Sequence, residues 1–171
     1  MAILKIISND YTTENIHFIL NDYAKKDMSF IGGYNLFLGT PETAVQYASE
    51  QMDSALCYYG KNYGQLLKHA VLSFDSSGSE AWVTPEIACR IAMQFCQYCL
   101  YNYQVFFGIH TDTASHLHIH FIINGVNLTT GYKFPDKKQT YQSMQKYLKK
   151  KTNLSECLLV YENVKNKLNI L

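Results

Sequence analysis

Four of the chain's six histidines, His110, His116, His118 and His120, lie in one short stretch with a single acid, Asp112, among them. Imidazole supplies a neutral nitrogen donor that titrates near physiological pH, so such a cluster points to metal coordination or proton transfer. Side chains of a β-strand alternate between faces with period two. A strand beginning near His116 therefore sets His116, His118 and His120 on one side and Leu117, Ile119 and Phe121 on the other. Residues 103–110 are rich in β-branched and aromatic side chains and read as a second strand. The polar residues 111–115 are few enough to close a hairpin between the two. His110 then returns beside His118 and His120. Three nitrogen donors with an open side make the arrangement of a catalytic rather than a structural metal site. His116 lies farther along the strand, placed for substrate or for a carboxylate behind the ligands. A hydrogen-bonded histidine cluster without metal is the alternative. His17 and His69, each alone among apolar neighbours, read as packed histidines.

The elements that must hold this hairpin follow from periodicity and punctuation. Residues 2–8 read as a strand. Thr12 or Thr13 can cap a helix reaching about residue 23, with Ile16, Ile19 and Leu20 on its apolar stripe. Gly32 and Gly33 read as a turn leading into a short strand over 34–38. Thr40-Pro-Glu42 is a helix start, with a capping hydroxyl, proline at the first position and an acid in the first turn. A strand over 67–74 follows, then a second start of the same kind at Thr84-Pro-Glu86. After the two histidine strands come a lysine-rich helix over 139–151 and a short strand near 158–161. The chain fits one domain over 1–171, its organisation least defined from about residue 154. The order β-α-β-α-β-α-β-β-α gives an α+β fold: a central, mainly antiparallel sheet with flanking helices.

Net charge is +1, and its distribution says more than its sum. Acids dominate the first sixty residues, whereas residues 133–151 carry Lys133, Lys137, Lys138, Lys146, Lys149, Lys150 and Lys151 against Asp136 alone. Tyr132, Phe134, Tyr141 and Tyr147 are interleaved. Cations for phosphates and ring faces for bases are what a single-stranded nucleic-acid groove requires. A solvated lysine-rich helix face is the alternative reading. The five cysteines are odd in number and lack paired zinc spacing, so they are expected to be reduced, mostly buried thiols of a cytosolic protein. Cys96-Gln-Tyr-Cys99 matches a redox dithiol only formally, since it falls deep in a helix rather than at a helix start. No apolar run is long enough to span a membrane.

Several of these stretches together resemble a known family. His110-Thr-Asp112, the alternating His118-Ile-His120 and the closing Asn124-Gly-Val-Asn127 resemble the three-histidine motif of conjugative and mobilisation relaxases, which are HUH endonucleases. Gly32-Gly-Tyr-Asn35, Thr40-Pro-Glu-Thr-Ala44, His69-Ala-Val-Leu-Ser-Phe74, Val83-Thr-Pro-Glu-Ile-Ala88 and Thr130-Gly-Tyr-Lys-Phe134 follow in the order seen in mobilisation relaxases of Gram-positive bacteria. The resemblance implies a cytoplasmic bacterial enzyme, monomeric, that nicks one DNA strand at the transfer origin of a plasmid or integrative element. It implies one divalent ion (Mn, Mg, Zn or Ni) on His110, His118 and His120, and Asp112 as the acid that orients a histidine or assists deprotonation. Single-stranded or hairpin DNA at the origin is the implied partner, with relaxosome accessory proteins beside it. Lys133, Lys137, Lys138, Tyr141, Lys146 and Lys149 are the expected DNA contacts.

Two positions depart from the family pattern. One extra residue separates Asp112 from His116, which adjusts the hairpin. The nucleophilic tyrosine is expected in the first helix, and the matching position is Phe18. A phenyl ring cannot attack phosphorus. Three explanations stand side by side: an engineered tyrosine-to-phenylalanine change, a nucleophile shifted to Tyr23, Tyr11 or His17, or a domain that binds DNA without cutting it. In the last case the protein would be a nicking-deficient or replication-accessory relative.

Overall fold

The computed structural model describes residues 1–8, 16–24, 30–111 and 117–163. Within these residues the chain runs β1 (Ala2–Ser8), α1 (Ile16–Ala24), β2 (Ile31–Tyr34), α2 (Ala44–Tyr58), β3 (Leu67–Ser73), α3 (Pro85–Cys99), β4 (Val105–Thr111), β5 (Leu117–Asn124), α4 (Lys138–Lys151) and β6 (Cys157–Asn163). The six strands form one sheet in the order β2-β4-β5-β3-β1-β6. Every neighbouring pair is antiparallel except β1 with β6. This is the expected α+β architecture.

The pleat sorts strand residues onto two faces. Leu4, Ala70, Leu72, Phe107, Ile109, Ile119, Phe121 and Ile123 face one side, where α3 and α4 close the larger core with Phe95, Met144 and Leu148. Leu67, Phe106 and Ile122 face the other, where Ile16, Ile19 and Leu20 of α1 pack with Ala48, Met52 and Leu56 of α2. Those two helices cover only part of their face. Lys5, Ile7, Ser73, His118 and His120, on the same pleat, stay half-buried.

Local chemistry explains where the elements begin. The Thr84 hydroxyl accepts from the Ile87 amide at 3.4 Å and Pro85 occupies the first turn of α3, as expected for that start. The parallel expectation at Thr40 needs correction. Helix α2 begins at Ala44, because the Thr43 hydroxyl accepts from the Thr40 amide at 2.9 Å and the Thr43 amide donates to the Thr40 carbonyl at 3.0 Å, closing a turn ahead of the helix.

Gly32 and Gly33 are likewise not a turn. They lie within β2, paired with Phe107 and Phe106, and the strand ends at Tyr34 instead of running over 34–38. Asn35 follows with φ 53°, its amide nitrogen donating to the carbonyls of Tyr101 and Tyr103 at 2.9 Å each. The Phe107 ring occupies the space where a side chain at residue 32 would go, since a Cβ there would run into its Cζ. Gly32→Ala is therefore expected to cost about 2 kcal/mol by forcing that buried ring aside, lowering the thermal midpoint by roughly 5 °C. Calorimetry checks this, and an unchanged midpoint would show that the ring gives way freely.

Candidate metal centre

Register brings the three imidazoles together. His110 in β4 stands opposite His118 in β5, and Gly108 stands opposite His120, so two adjacent strands present all three rings on one pleat. Ring centroids lie 5.4 Å apart for His110 and His118, 4.7 Å for His110 and His120, and 4.9 Å for His118 and His120. One nitrogen from each ring falls within 4.8 Å of the others. His110 is 3% exposed, whereas His118 and His120 are half-buried toward a cavity of about 320 Å³ that Lys5, Val71 and Ser73 also line. Three neutral nitrogen donors with an open side fit a divalent ion of borderline softness.

A family model for the relaxase MobA/VirD2-like nuclease domain matches residues 18–153. The chain belongs to that relaxase family. Two proteins named Rlx from Staphylococcus aureus are each 33% identical to it. One alignment runs over 113 residues, 66% of this chain and 33% of the relative; the other runs over 102 residues, 60% and 30%. A third Rlx protein from the same species is 29% identical over 101 residues. The relaxase domain described here spans about a third of the length of the curated relatives it matches.

The relaxase domain places the other expected residues unevenly. Phe18 is in α1, whose buried stripe packs on the same sheet face that carries the triad, and its own ring is 63% exposed. Tyr23 belongs to the same helix. Its side chain lies outside the described residues, as do Tyr11, Asp112 and His116. The closing motif is structural. Asn124 is fully buried and donates to the Met52 carbonyl at 3.0 Å and to Gln104 Oε1 at 2.8 Å, which ties β5 to α2. A Cβ on Gly125 would meet the Leu66 carbonyl oxygen at 2.5 Å.

Lysine placement divides the basic tract. Helix α4 packs through Tyr141, Met144 and Leu148 on the sheet face opposite the histidines, leaving Lys146 and Lys149 exposed on its outer side. The structure does not bring those two lysines to the triad. Lys133 turns inward: its ammonium donates to the carbonyls of Lys61 at 2.9 Å, Tyr63 at 2.6 Å and Gln65 at 3.1 Å. Burial, aided by the charges of Lys61 and Lys68, holds its pKa below the ordinary lysine value. Tyr141 is 4% exposed and donates to Asp136 at 2.5 Å, so its ring offers no free stacking face. Burial would lift the Asp136 carboxyl, but hydrogen bonds from Lys68 and Tyr141 outweigh it and hold the pKa below its usual range. Lys137 and Lys138 line, with Lys68 and His69, a cavity of about 370 Å³.

Sequence reasoning passed over His69. Its ring is 2% exposed, as a packed histidine should be, yet its Nε2 lies 2.9 Å from Nδ1 of His120. Burial lowers its pKa to about 4, which keeps it neutral at physiological pH. Its position in the sequence motif ending at Phe74 was the signal that could have found it.

The cysteines are free thiols. Cys96 and Cys99 lie in the last turns of α3, and burial raises both, Cys99 to about 12. Alkylation of the native protein at pH 8 is expected to label exposed Cys57 at least about tenfold faster than either. Equal rates, read by mass spectrometry, would contradict the inert, helical reading of that pair. Among the described residues no helix is long and apolar enough to cross a membrane.

Proposed function

We propose that this relaxase domain binds single-stranded or hairpin DNA of a transfer origin across its histidine-bearing face and, with one divalent ion on His110, His118 and His120, breaks one strand by transesterification. The observation that carries the reading is the convergence of three imidazoles on the half-covered face of the sheet that also seats α1. A divalent ion bound there supplies charge neutralisation at the scissile phosphate. The protein's own groups do the rest. His110, His118 and His120 would hold that ion, and Asp112 orients a histidine or receives the nucleophile's proton. A tyrosine oxygen then bonds to phosphorus while the bond from phosphorus to the 3′ oxygen breaks, the leaving oxygen taking a proton. The products are a 5′-phosphotyrosyl link and a free 3′-hydroxyl, which keeps the bond energy for rejoining.

Lys137 and Lys138, which line the cavity that His69 walls, are the proposed phosphate contacts among the lysines of the basic tract. Lys146 and Lys149, on the outer side of α4, would serve DNA away from the cleavage point. Relaxosome proteins are the accessory partners this reading implies. Phe18 favours a second reading, a relaxase-like protein that binds origin DNA without nicking it. Incubation with manganese and a supercoiled plasmid bearing the cognate origin separates the two: protein joined to the 5′ end supports cleavage, and binding without relaxation supports the second.

A further inference from the structure

We infer that His69 is a positioning residue, fixing which ring nitrogen His120 turns toward the ion. The inference rests on the reading of the triad as a metal site. Strand β3 lies beside β5 with Val71 opposite His120 and His69 opposite Ile122, so His69 is the diagonal neighbour of His120 on the same pleat. The two rings tilt by 32° with centroids 5.1 Å apart, and Nε2 of His69 sits 2.9 Å from Nδ1 of His120. At 2% exposure His69 is shielded from water that would compete for the bond.

A neutral imidazole has one N–H and one lone pair. With Nδ1 of His120 engaged by His69, only Nε2 is left to face His110 and His118. Coordination through Nε2 puts the proton of His120 on Nδ1, from which it donates to Nε2 of His69; His69 then carries its own proton on Nδ1. Without that acceptor the His120 ring can turn over about its Cβ–Cγ bond and present either nitrogen. Groups that orient a metal-bound histidine in this way are typically worth about 10- to 100-fold in metal affinity. His69 also lines the cavity that Lys137 and Lys138 share, so this one residue is a wall of that cavity and a support for the ligand.

Two variants test the role. In His69→Gln the side-chain oxygen falls near the place of Nε2 and keeps an acceptor; in His69→Leu a side chain of comparable bulk has none. Affinity for Mn²⁺ is measured without DNA, from the electron paramagnetic resonance signal of the free ion, with the visible spectrum of bound Co²⁺ as a second reading. The leucine variant is expected to bind Mn²⁺ about 10- to 100-fold more weakly and to shift the Co²⁺ spectrum, while the glutamine variant stays near the parent. Parent-like affinity and spectrum in His69→Leu, or an equal loss in both variants, would overturn the role. Should the leucine variant not fold, His69→Asn, whose shorter side chain cannot reach the Nε2 position, supplies the contrast with glutamine. A parent protein that binds no divalent ion would remove the metal reading and this inference together; a parent that binds, beside an equally competent His69→Leu, removes only the inference.

Discussion

Replacing His118 with alanine is expected to abolish tight divalent-ion binding and to lower strand cleavage by at least about a thousandfold, the loss that follows when several kcal/mol of charge stabilisation disappear from a transition state. The protein should stay folded. His118 is half-buried on the open pleat, whereas its neighbours Leu117 and Ile119 point into the core under α3 and α4 and keep their packing. A surface-facing truncation of this kind changes stability by roughly 0.5 kcal/mol, which a thermal melt would barely register. Titration with Mn²⁺, a melt and a plasmid nicking assay on one preparation make the comparison. Cleavage that survived the change in a folded protein would rule out the metal role of the triad.

Placing a hydroxyl at residue 18 has the second large expected effect. Phe18→Tyr is expected to create or raise covalent attachment of the protein to the 5′ end of cleaved DNA by at least about a thousandfold, because a phenol adds the one atom that a displacement at phosphorus requires. The ring is 63% exposed, so the added oxygen needs no buried partner. Helix α1 already rests on the triad's face of the sheet through Ile16, Ile19 and Leu20. The assay is a gel shift of labelled origin DNA that resists denaturant. If Phe18→Tyr gained nothing while Tyr23→Phe removed the parent's activity, the nucleophile would belong at Tyr23. If neither variant nor parent formed the adduct although all bound the DNA, the non-nicking reading would stand.

Much of this site was legible because its rules are local. Alternation over Leu117, His118, Ile119 and His120 assigns faces without reference to any other strand, and a short polar link brings His110 back into register. The Thr84-Pro85 helix start is legible for the same reason, since a cap and a first-turn proline act within three residues. Thr40-Pro41 carries the same letters and misleads, because the nearby Thr43 hydroxyl competes for the turn. Gly32 and Gly33 suggest a turn until they are known to pair with β4, where Phe107 lies over Gly32, seventy-odd residues later in the chain. The basic tract reads as one surface in sequence. In three dimensions Lys133 is spent on carbonyls, Lys146 and Lys149 face away, and Lys137 and Lys138 alone of the expected lysines line the cavity beside His69.

Residue types and their spacing by themselves determined the α+β class, the histidine hairpin, the position Phe18 and the family resemblance, since each depends on neighbours a few residues apart or on a motif written in the chain. Which helices cover which face, which lysines line the cavity at His69, and the contact of His69 with His120 were decided only by tertiary structure. Those two histidines are separated by 51 positions and meet because β3 is inserted between β5 and β1. Strand order depends on how whole apolar faces are buried at once, and no local pattern in the sequence encodes that sum.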